Sequence, residues 1–242
     1  MVTPYNDSRG KTEQVRDMFD HIAPSYDRLN RAMSFGMDQG WRRKAVELVR
    51  ASGARAIVDI ATGTGDFALT IARSIEGSTI TGLDLSEKMV EIGRRKVADA
   101  GLDDRIQLVC GDCLEQPLEP GAADAVTVAF GVRNFSDLGA GYRAMRAMLR
   151  SGGMICVLEL STPPNRIIRP LYNLYAGHFI PFIGKLISRD RRAYSYLPES
   201  IAAVPQREAM TALMREAGFV NPSYEPLTFG VCTIYTAFNP EN

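Results

Sequence analysis

The segment VDIATGTGDFA, Val58 to Ala68, places two glycines and two carboxylates where an apolar run gives way to an amphipathic one. Gly63 and Gly65 let the backbone approach a ligand closely, and the helix expected beyond them offers unpaired N–H groups at its start. Asp84 closes the next apolar run, 19 residues after Gly65, where a carboxylate can accept both hydroxyl hydrogens of a ribose. The pattern Gly63-x-Gly65-x-x-Ala68 also satisfies the dinucleotide fingerprint that ends in alanine. Asp59 before the loop and Asp66 inside it argue against a diphosphate. Carboxylates there suit the amino group and sulfonium of S-adenosylmethionine, a cation without phosphate. Asp112, in the stretch CGDC, ends a third apolar run and is placed to hydrogen-bond an adenine amino group, with the Cys113 backbone N–H available to a ring nitrogen. Acids closing three successive runs favour the methyl donor as cofactor.

Such residues need elements that bring their ends together. Ala56–Ile60, Thr79–Asp84, Ile106–Cys110, Ala123–Phe130 and Met154–Leu160 read as strands, alternating with amphipathic helices. Ser86 is the expected cap of the helix running to Asp99, and the helix Leu138–Leu149 is expected to close at Gly152-Gly153. This alternation predicts parallel βαβ units with a ligand crevice at the carboxyl ends of the strands. The ending differs. After a helix over Pro205–Ala217, the runs Tyr224–Thr228 and Val231–Phe238 are too closely linked for a parallel pair and predict a closing hairpin. Thr162–Val204 then reads as an insertion. The first 50 residues read as helical, with Val15, Met18, Phe19 and Ile22 at helical spacing. Trp41–Arg50 sets Ala45, Leu48 and Val49 on one face with basic residues opposite, and breaks are expected at Pro24 and Asn30–Gly40. The expected organisation is one domain: a helical region over 1–50, a cofactor half over 54–161, a substrate-side insertion over 162–204, and a closing helix and hairpin over 205–239.

Composition narrows the classes. At 242 residues, 45% hydrophobic and 23% charged, the chain has the proportions of a globular protein built on one core. Its 28 Lys+Arg balance 28 Asp+Glu, so no whole-molecule field gathers nucleic acid. Four cysteines are too few for a disulfide scaffold, and the polar start Met1–Lys11 lacks the apolar core of a secretory signal, so the cytoplasm is the expected compartment. Cys110 and Cys113 have zinc-site spacing, but no second pair or nearby histidine completes a ligand set, and no metal is expected. Pro170–Gly184 carries no Asp, Glu, Lys or Arg, yet it is shorter than the roughly 20 residues that span a bilayer. Pro181 inside it would break a helix.

Seven separated stretches carry a closer likeness: MFDHIAPSYDRLN (18–30), MSFGMDQGWRRKAV (33–46), TGTGD (62–66), FGVRNF (130–135), LRSGG (149–153), SYLPESI (195–201) and LTFGVCTIYTA (227–237). With them the chain resembles the ubiquinone/menaquinone biosynthesis C-methyltransferase family, class I methyltransferases dependent on S-adenosylmethionine, over nearly its whole length. The resemblance implies an α/β Rossmann-like fold with a seven-stranded, mostly parallel sheet of order 3-2-1-4-5-7-6, its last strand antiparallel and helices on both faces. It implies methyl transfer to a ring carbon of a prenylated quinol. Overall likeness favours demethylmenaquinol to menaquinol, the alternatives being a benzoquinol or another small aromatic or lipid acceptor. A lipid-binding or assembly subunit without turnover is the non-enzymatic alternative. Cofactor contacts carry over to Thr64, Asp84, Asp112 and Cys113. Ala61 departs from the glycine many methyltransferases have there, and Arg150-Ser151 replaces a frequent Lys-Pro; neither removes a donor or acceptor used above.

Methylation at carbon needs a nucleophilic ring, hence a reduced quinone with one hydroxyl at least partly ionised. The site must stabilise that phenolate and hold the carbon about 3 Å from the methyl, in line with the sulfur–methyl bond. Arg133 in FGVRNF is the expected stabiliser of the oxyanion, directly or through a water, and Asn134 the residue that orients it. Tyr26 is expected at the methionine end of the cofactor or at the ring, with a structural role competing; His178 is within reach of a quinol, with packing competing. Between Asn165 and Tyr196 six basic residues (Arg166, Arg169, Lys185, Arg189, Arg191, Arg192) stand against one acid, Asp190, interleaved with aromatics. That rim suits an isoprenoid tail drawn from an anionic membrane surface, or the solvated edge of a helical lid. The expected partners are therefore the prenylated quinol and a transient membrane contact, without nucleic acid; a homodimer is compatible with the sequence.

Overall fold

Seven strands form one sheet in the computed structural model, which describes residues 2–5, 7–115, 118–180 and 191–241. They are β1 (Ala56–Ile60), β2 (Thr79–Asp84), β3 (Ile106–Cys110), β4 (Ala123–Ala129), β5 (Leu149–Leu160), β6 (Val220–Leu227) and β7 (Cys232–Phe238). Their order is β3-β2-β1-β4-β5-β7-β6, the arrangement the resemblance implies. β1 to β5 pair in parallel, with Ile60 beside both Leu83 and Val128. β7 runs antiparallel between β5 and β6, so the hairpin closes the sheet as expected.

Alternation along the strands separates two cores. Ile57 faces a layer with Trp41, Ala45, Val49, Phe67 and Ile71, whereas Val58 and Ile60 face Tyr142, Met145, Met148 and Met210. The first layer comes from α3 (Met37–Ala51), α4 (Asp66–Ser74) and α5 (Glu87–Asp99), the second from α6 (Leu138–Met148) and α9 (Glu208–Glu216). Each fully buried aliphatic or aromatic side chain contributes about 1.5–3 kcal/mol. A third cluster joins α1 (Lys11–Ile22) and α2 (Tyr26–Met33) to the insertion, packing Met18, Ile22, Leu29 and Met33 against Met89, Ile180 and Tyr196. The insertion holds α7 (Ile168–Leu174), a π-helical turn (Tyr175–Phe179) and α8 (Arg191–Ala203).

The break expected in Asn30–Gly40 is present and narrower: α2 continues through Met33 and α3 starts at Met37, leaving a turn at Ser34–Gly36 where Gly36 takes φ +76°. Two expectations need correction. Gly152 does not close α6, which ends at Met148; with φ +69° it makes an irregularity in β5, where pairing jumps from Ala123↔Leu149 to Ala125↔Met154. The basic residues of α3 do not all face away from the core, since Arg42 is buried beside Trp41. Ser86 caps α5 as expected, its hydroxyl accepting from Met89 N. Pro181, Lys185, Arg189 and Asp190 lie outside the described residues.

Candidate functional site

The sheet order reverses between β1 and β4, and a crevice opens at the carboxyl ends of the strands there. Its walls are the segments that follow β1 to β4: Gly63, Asp84, Asp112 and Cys113, and Phe130. Gly63 takes φ +57°, and a Cβ there would meet the Tyr26 ring at 3.8 Å. Its N–H donates to Asp84 Oδ2 at 2.8 Å, and Ser86 N donates to Asp84 Oδ1 at 2.9 Å. Each oxygen keeps a lone pair, so the carboxylate is oriented with acceptors to spare for a diol. Burial pushes the Asp84 carboxyl up to about 6, against the pull of those two N–H groups. Asp112 Oδ1 accepts from Leu114 N at 2.9 Å. Burial, then Asp112, pushes the Cys113 thiol up to about 12, so it stands as a neutral wall group.

Thr12, Val15, Phe19 and Tyr26 of the N-terminal helices roof this crevice. Lys11 Nζ donates to the carbonyls of Arg133 and Phe135, both at 3.0 Å, and Ser86 Oγ donates to Asp20. The space left beneath is about 70 Å³, below the roughly 300–1,000 Å³ of small-molecule sites.

A second cavity, of about 320 Å³ and mainly apolar, adjoins the crevice through Tyr26 and Phe130, which line both. Arg133 lines it at 9% exposure, its Nη1 donating to Glu159 Oε1 at 2.8 Å and to the Phe130 carbonyl. Glu159 also accepts from the backbone N–H groups of Arg133, at 3.2 Å, and of Leu160, at 2.8 Å. Burial opposes the Arg133 charge most, but the Glu159 carboxylate together with Tyr26 and Tyr196 holds the guanidinium pKa above its ordinary value. Arg133 Nε is buried without a hydrogen-bond partner. Asn134 lines the cofactor crevice, and Tyr196 Oη donates to its Oδ1 at 3.2 Å, which fixes the amide with its NH2 as the remaining donor. Phe130 carries φ +63°, strain in a bulky residue at the junction of the two spaces.

The crevice thus collects Gly63, Asp84, Asp112 and Cys113, with Tyr26 and Asn134 on its wall. Asp59, Thr64 and Gly65 are not on it. Asp59 is 1% exposed and accepts from Thr62 and Thr127 hydroxyls, both at 2.7 Å, so it braces the loop from beneath. Thr64 donates to Asp27 Oδ1 at 2.6 Å and accepts from Lys96 at 3.2 Å, tying the loop to α2. Gly65, at φ +77°, caps α4 with its Cβ position 3.3 Å from Leu108. Asp66 pairs with Lys96 outside the crevice. His178 is exposed and lines neither space, because Tyr175, Ala176 and Ile180 take the inner face of that turn. Sequence reasoning missed Glu159, whose signal is a lone acid in the apolar run MICVLEL (154–160), and the burial of Arg42.

A sheet of this order, with strand-end acids at the reversal and a glycine loop beneath a roof, defines a class I methyltransferase dependent on S-adenosylmethionine. An S-adenosylmethionine-dependent methyltransferase from Aquifex aeolicus superposes with a TM-score of 0.59 at 14% identity, over 81% of this chain and 89% of that one. Residues 7–239 match the model of the ubiE/COQ5 methyltransferase family, and the chain belongs to that family. A demethylmenaquinone methyltransferase from Porphyromonas gingivalis is 46% identical over 97% of this chain and 96% of its own length. One from Bacteroides fragilis is 43% identical over 98% and 96%.

Proposed function

We propose that the chain methylates a ring carbon of demethylmenaquinol to give menaquinol. The observation that carries this reading is a buried, charge-balanced guanidinium in the wall of an apolar cavity that is sized for an aromatic ring and meets the crevice at Tyr26 and Phe130. The identity to demethylmenaquinone methyltransferases over nearly the whole chain supports the same acceptor.

Gly63, Asp84, Asp112 and Cys113 are the residues that would hold S-adenosylmethionine, which supplies an electrophilic methyl on a sulfonium. Asp84 takes the ribose hydroxyls and Asp112 the adenine amino group. Bound there, the cofactor would supply the methyl to the ring carbon and be left as S-adenosylhomocysteine; the ring hydroxyl gives one proton to solvent, and the methylated carbon then returns its own proton to that oxygen. The Arg133 guanidinium donates to the ring oxygen beside that carbon and stabilises its negative charge, an interaction worth about 10²–10³ in rate at comparable sites. Glu159 holds the guanidinium in place, and Asn134 orients the oxygen from the crevice side. The apolar walls exclude water, which strengthens these contacts.

The same reading places the protein at the cytoplasmic surface of a membrane. Exposed Phe35 and Leu171 line the cavity, with exposed Ile167 and Leu174 beside Leu171 in sequence, and no acid occurs from Ser161 to Ile180. Among the described residues no helix is long and apolar enough to cross a membrane.

The test is transfer of isotopic methyl from S-adenosylmethionine to short-chain demethylmenaquinone, reduced and oxidised, beside the corresponding benzoquinol. Product from the reduced naphthoquinone supports the reading. Product from the benzoquinol alone, or equal product from the oxidised form, overturns it.

A further inference from the structure

Arg133 is not the only arginine in the wall of the apolar cavity. Arg42, on α3, lines it too, at 7% exposure, and like Arg133 it has a buried Nε without a hydrogen-bond partner. Its Nη1 is bound to Asp38, which is buried and also accepts from Ser34 Oγ at 2.7 Å. Its Cζ lies 5.2 Å from the centroid of the Phe130 ring. Arg42 also borders the open groove behind α3, but its Asp38 pair and Phe130 contact draw the guanidinium to the cavity side, since Asp38 and Phe130 line the cavity and not that groove. Both arginine charges act on the Tyr26 hydroxyl, so the two guanidinium groups flank the region of Tyr26 and Phe130 from different elements.

Burying an arginine–aspartate pair in an apolar wall costs desolvation that the pair's attraction seldom repays in stability. An orphan N–H on top of it costs about 1–3 kcal/mol. Two such pairs, Arg133–Glu159 and Arg42–Asp38, share one cavity. Each is neutral as a unit, and each leaves its Nη2 without a hydrogen-bond partner among the described residues. A ligand that repays both must be flat, apolar and carry two separated oxygen acceptors.

We infer that Arg42 forms a second oxygen subsite, donating from its guanidinium to the quinol oxygen para to the one held by Arg133. This inference rests on the quinol reading above. Arg133 is joined in sequence to Asn134 on the cofactor crevice, so its oxygen is the one beside the reacting carbon. Arg42 then fixes the rotation of the ring in its plane, which decides the carbon presented to the methyl. A site built to hydrogen-bond an acceptor rejects an analogue lacking it, because its buried donors are left unpaired. Discrimination between a 1,4-diol and a mono-ol is therefore the signature of this subsite.

The experiment compares wild type with Arg42→Met, which keeps the apolar stem, and Arg42→Lys, using a prenylated 1,4-naphthalenediol and its analogue lacking the distal hydroxyl. Wild type is expected to prefer the diol by at least tenfold in kcat/KM. Arg42→Met is expected to lose tenfold or more on the diol, mainly through KM, and under threefold on the mono-ol, with the S-adenosylhomocysteine Kd within a factor of two. Arg42→Lys is expected to recover part of the preference. Equal losses on both acceptors, or a fall in cofactor affinity of the same size, would mean that Arg42 is structural and overturn the subsite. Should Arg42→Met not fold, an undiminished wild-type rate on the mono-ol overturns it as well. If wild type methylates neither naphthol while binding S-adenosylhomocysteine, the quinol reading fails, and the subsite falls with it.

Discussion

The cofactor crevice takes its polar groups from consecutive strand ends, whereas the cavity beside it takes its two arginines from α3 and from the segment after β4. In the crevice, the two acids are oriented by backbone N–H groups a few residues away or across one strand, Gly63 and Ser86 for Asp84 and Leu114 for Asp112. In the cavity, orientation comes from buried acids on other elements or a turn away, Glu159 on β5 for Arg133 and Asp38 for Arg42. The crevice solves a problem common to many acceptors, holding one cofactor with backbone geometry that any parallel sheet supplies. The cavity solves a particular one and pays in buried charge. The two meet at Tyr26 and Phe130, so changes on either side should move different measurements.

The largest effect is expected at Arg133. Arg133→Lys keeps a charge for Glu159 but loses the planar donors, and turnover should fall about 10²–10³-fold. Cofactor affinity, measured by calorimetric titration of S-adenosylhomocysteine, should stay within about threefold, the division in mutant effects that marks a group acting on the reacting acceptor rather than on cofactor binding. A matched loss of affinity would break the separation between the two spaces.

Asp84→Asn is the converse. Removing charge-assisted hydrogen bonds of about 1.5–3 kcal/mol should weaken S-adenosylhomocysteine by about 10–100-fold while leaving the quinol KM nearly unchanged. The wild-type carboxyl, pushed up to about 6 by burial, adds a pH signature. Only the carboxylate accepts both ribose hydrogens, so affinity should fall as pH drops below about 6, and Asp84→Asn should lack that fall. Stability without ligand runs the other way. Asp59 and Asp84 both lie near 6 against 3.8 in the unfolded chain. The folded state therefore holds more protons between those values, and stability declines as pH rises from about 4 to 6. Denaturant melts at the two ends of that range, with and without S-adenosylhomocysteine, should slope in opposite directions.

These differences also explain what the sequence made legible. Gly63, Asp84 and Asp112 could be read from spacing because a strand end and the turn after it are local, and the parallel order then brings them together. Asp59 and Thr64 have the right positions in the motif, but alternation along β1 and the turn direct them beneath the loop, where hydroxyls and Lys96 take them. Pattern alone does not show which face of a loop is wet. Glu159 and Arg42 were illegible for the opposite reason. Glu159 looks like an isolated charge in an ordinary strand and Arg42 like one of a basic run on an ordinary helix, and only the packed fold reveals what lets each be buried. His178 lay in the right segment, but the turn's register puts it outside.

The smallest effect tests the joint between the two spaces. Ala61 sits at φ +54° on the crevice wall, where a glycine would be relaxed, and its Cβ occupies the place that a Cβ on Gly131 would need, 2.5 Å away. Gly131 itself has an ordinary backbone, φ −109° and ψ −36°, so what excludes a side chain there is the Ala61 methyl together with Val128 Cγ1 at 3.0 Å. Gly131→Ala should cost about 1–3 kcal/mol by overpacking. Ala61→Gly gains about 1–2 kcal/mol by leaving the left-handed region and returns about 0.4–1 kcal/mol to the unfolded chain's entropy, for a net rise of about 0.5 kcal/mol and roughly 1–2 °C in Tm. Moving the methyl, in the double variant Ala61→Gly with Gly131→Ala, should recover most of the single variant's loss, a coupling of at least about 1 kcal/mol. Additive melting temperatures would mean that the two backbones do not press on one another, and that the strain at neighbouring Phe130 is held by the β5 hydrogen bond from its N–H to Leu158 O, 2.7 Å, rather than by this contact.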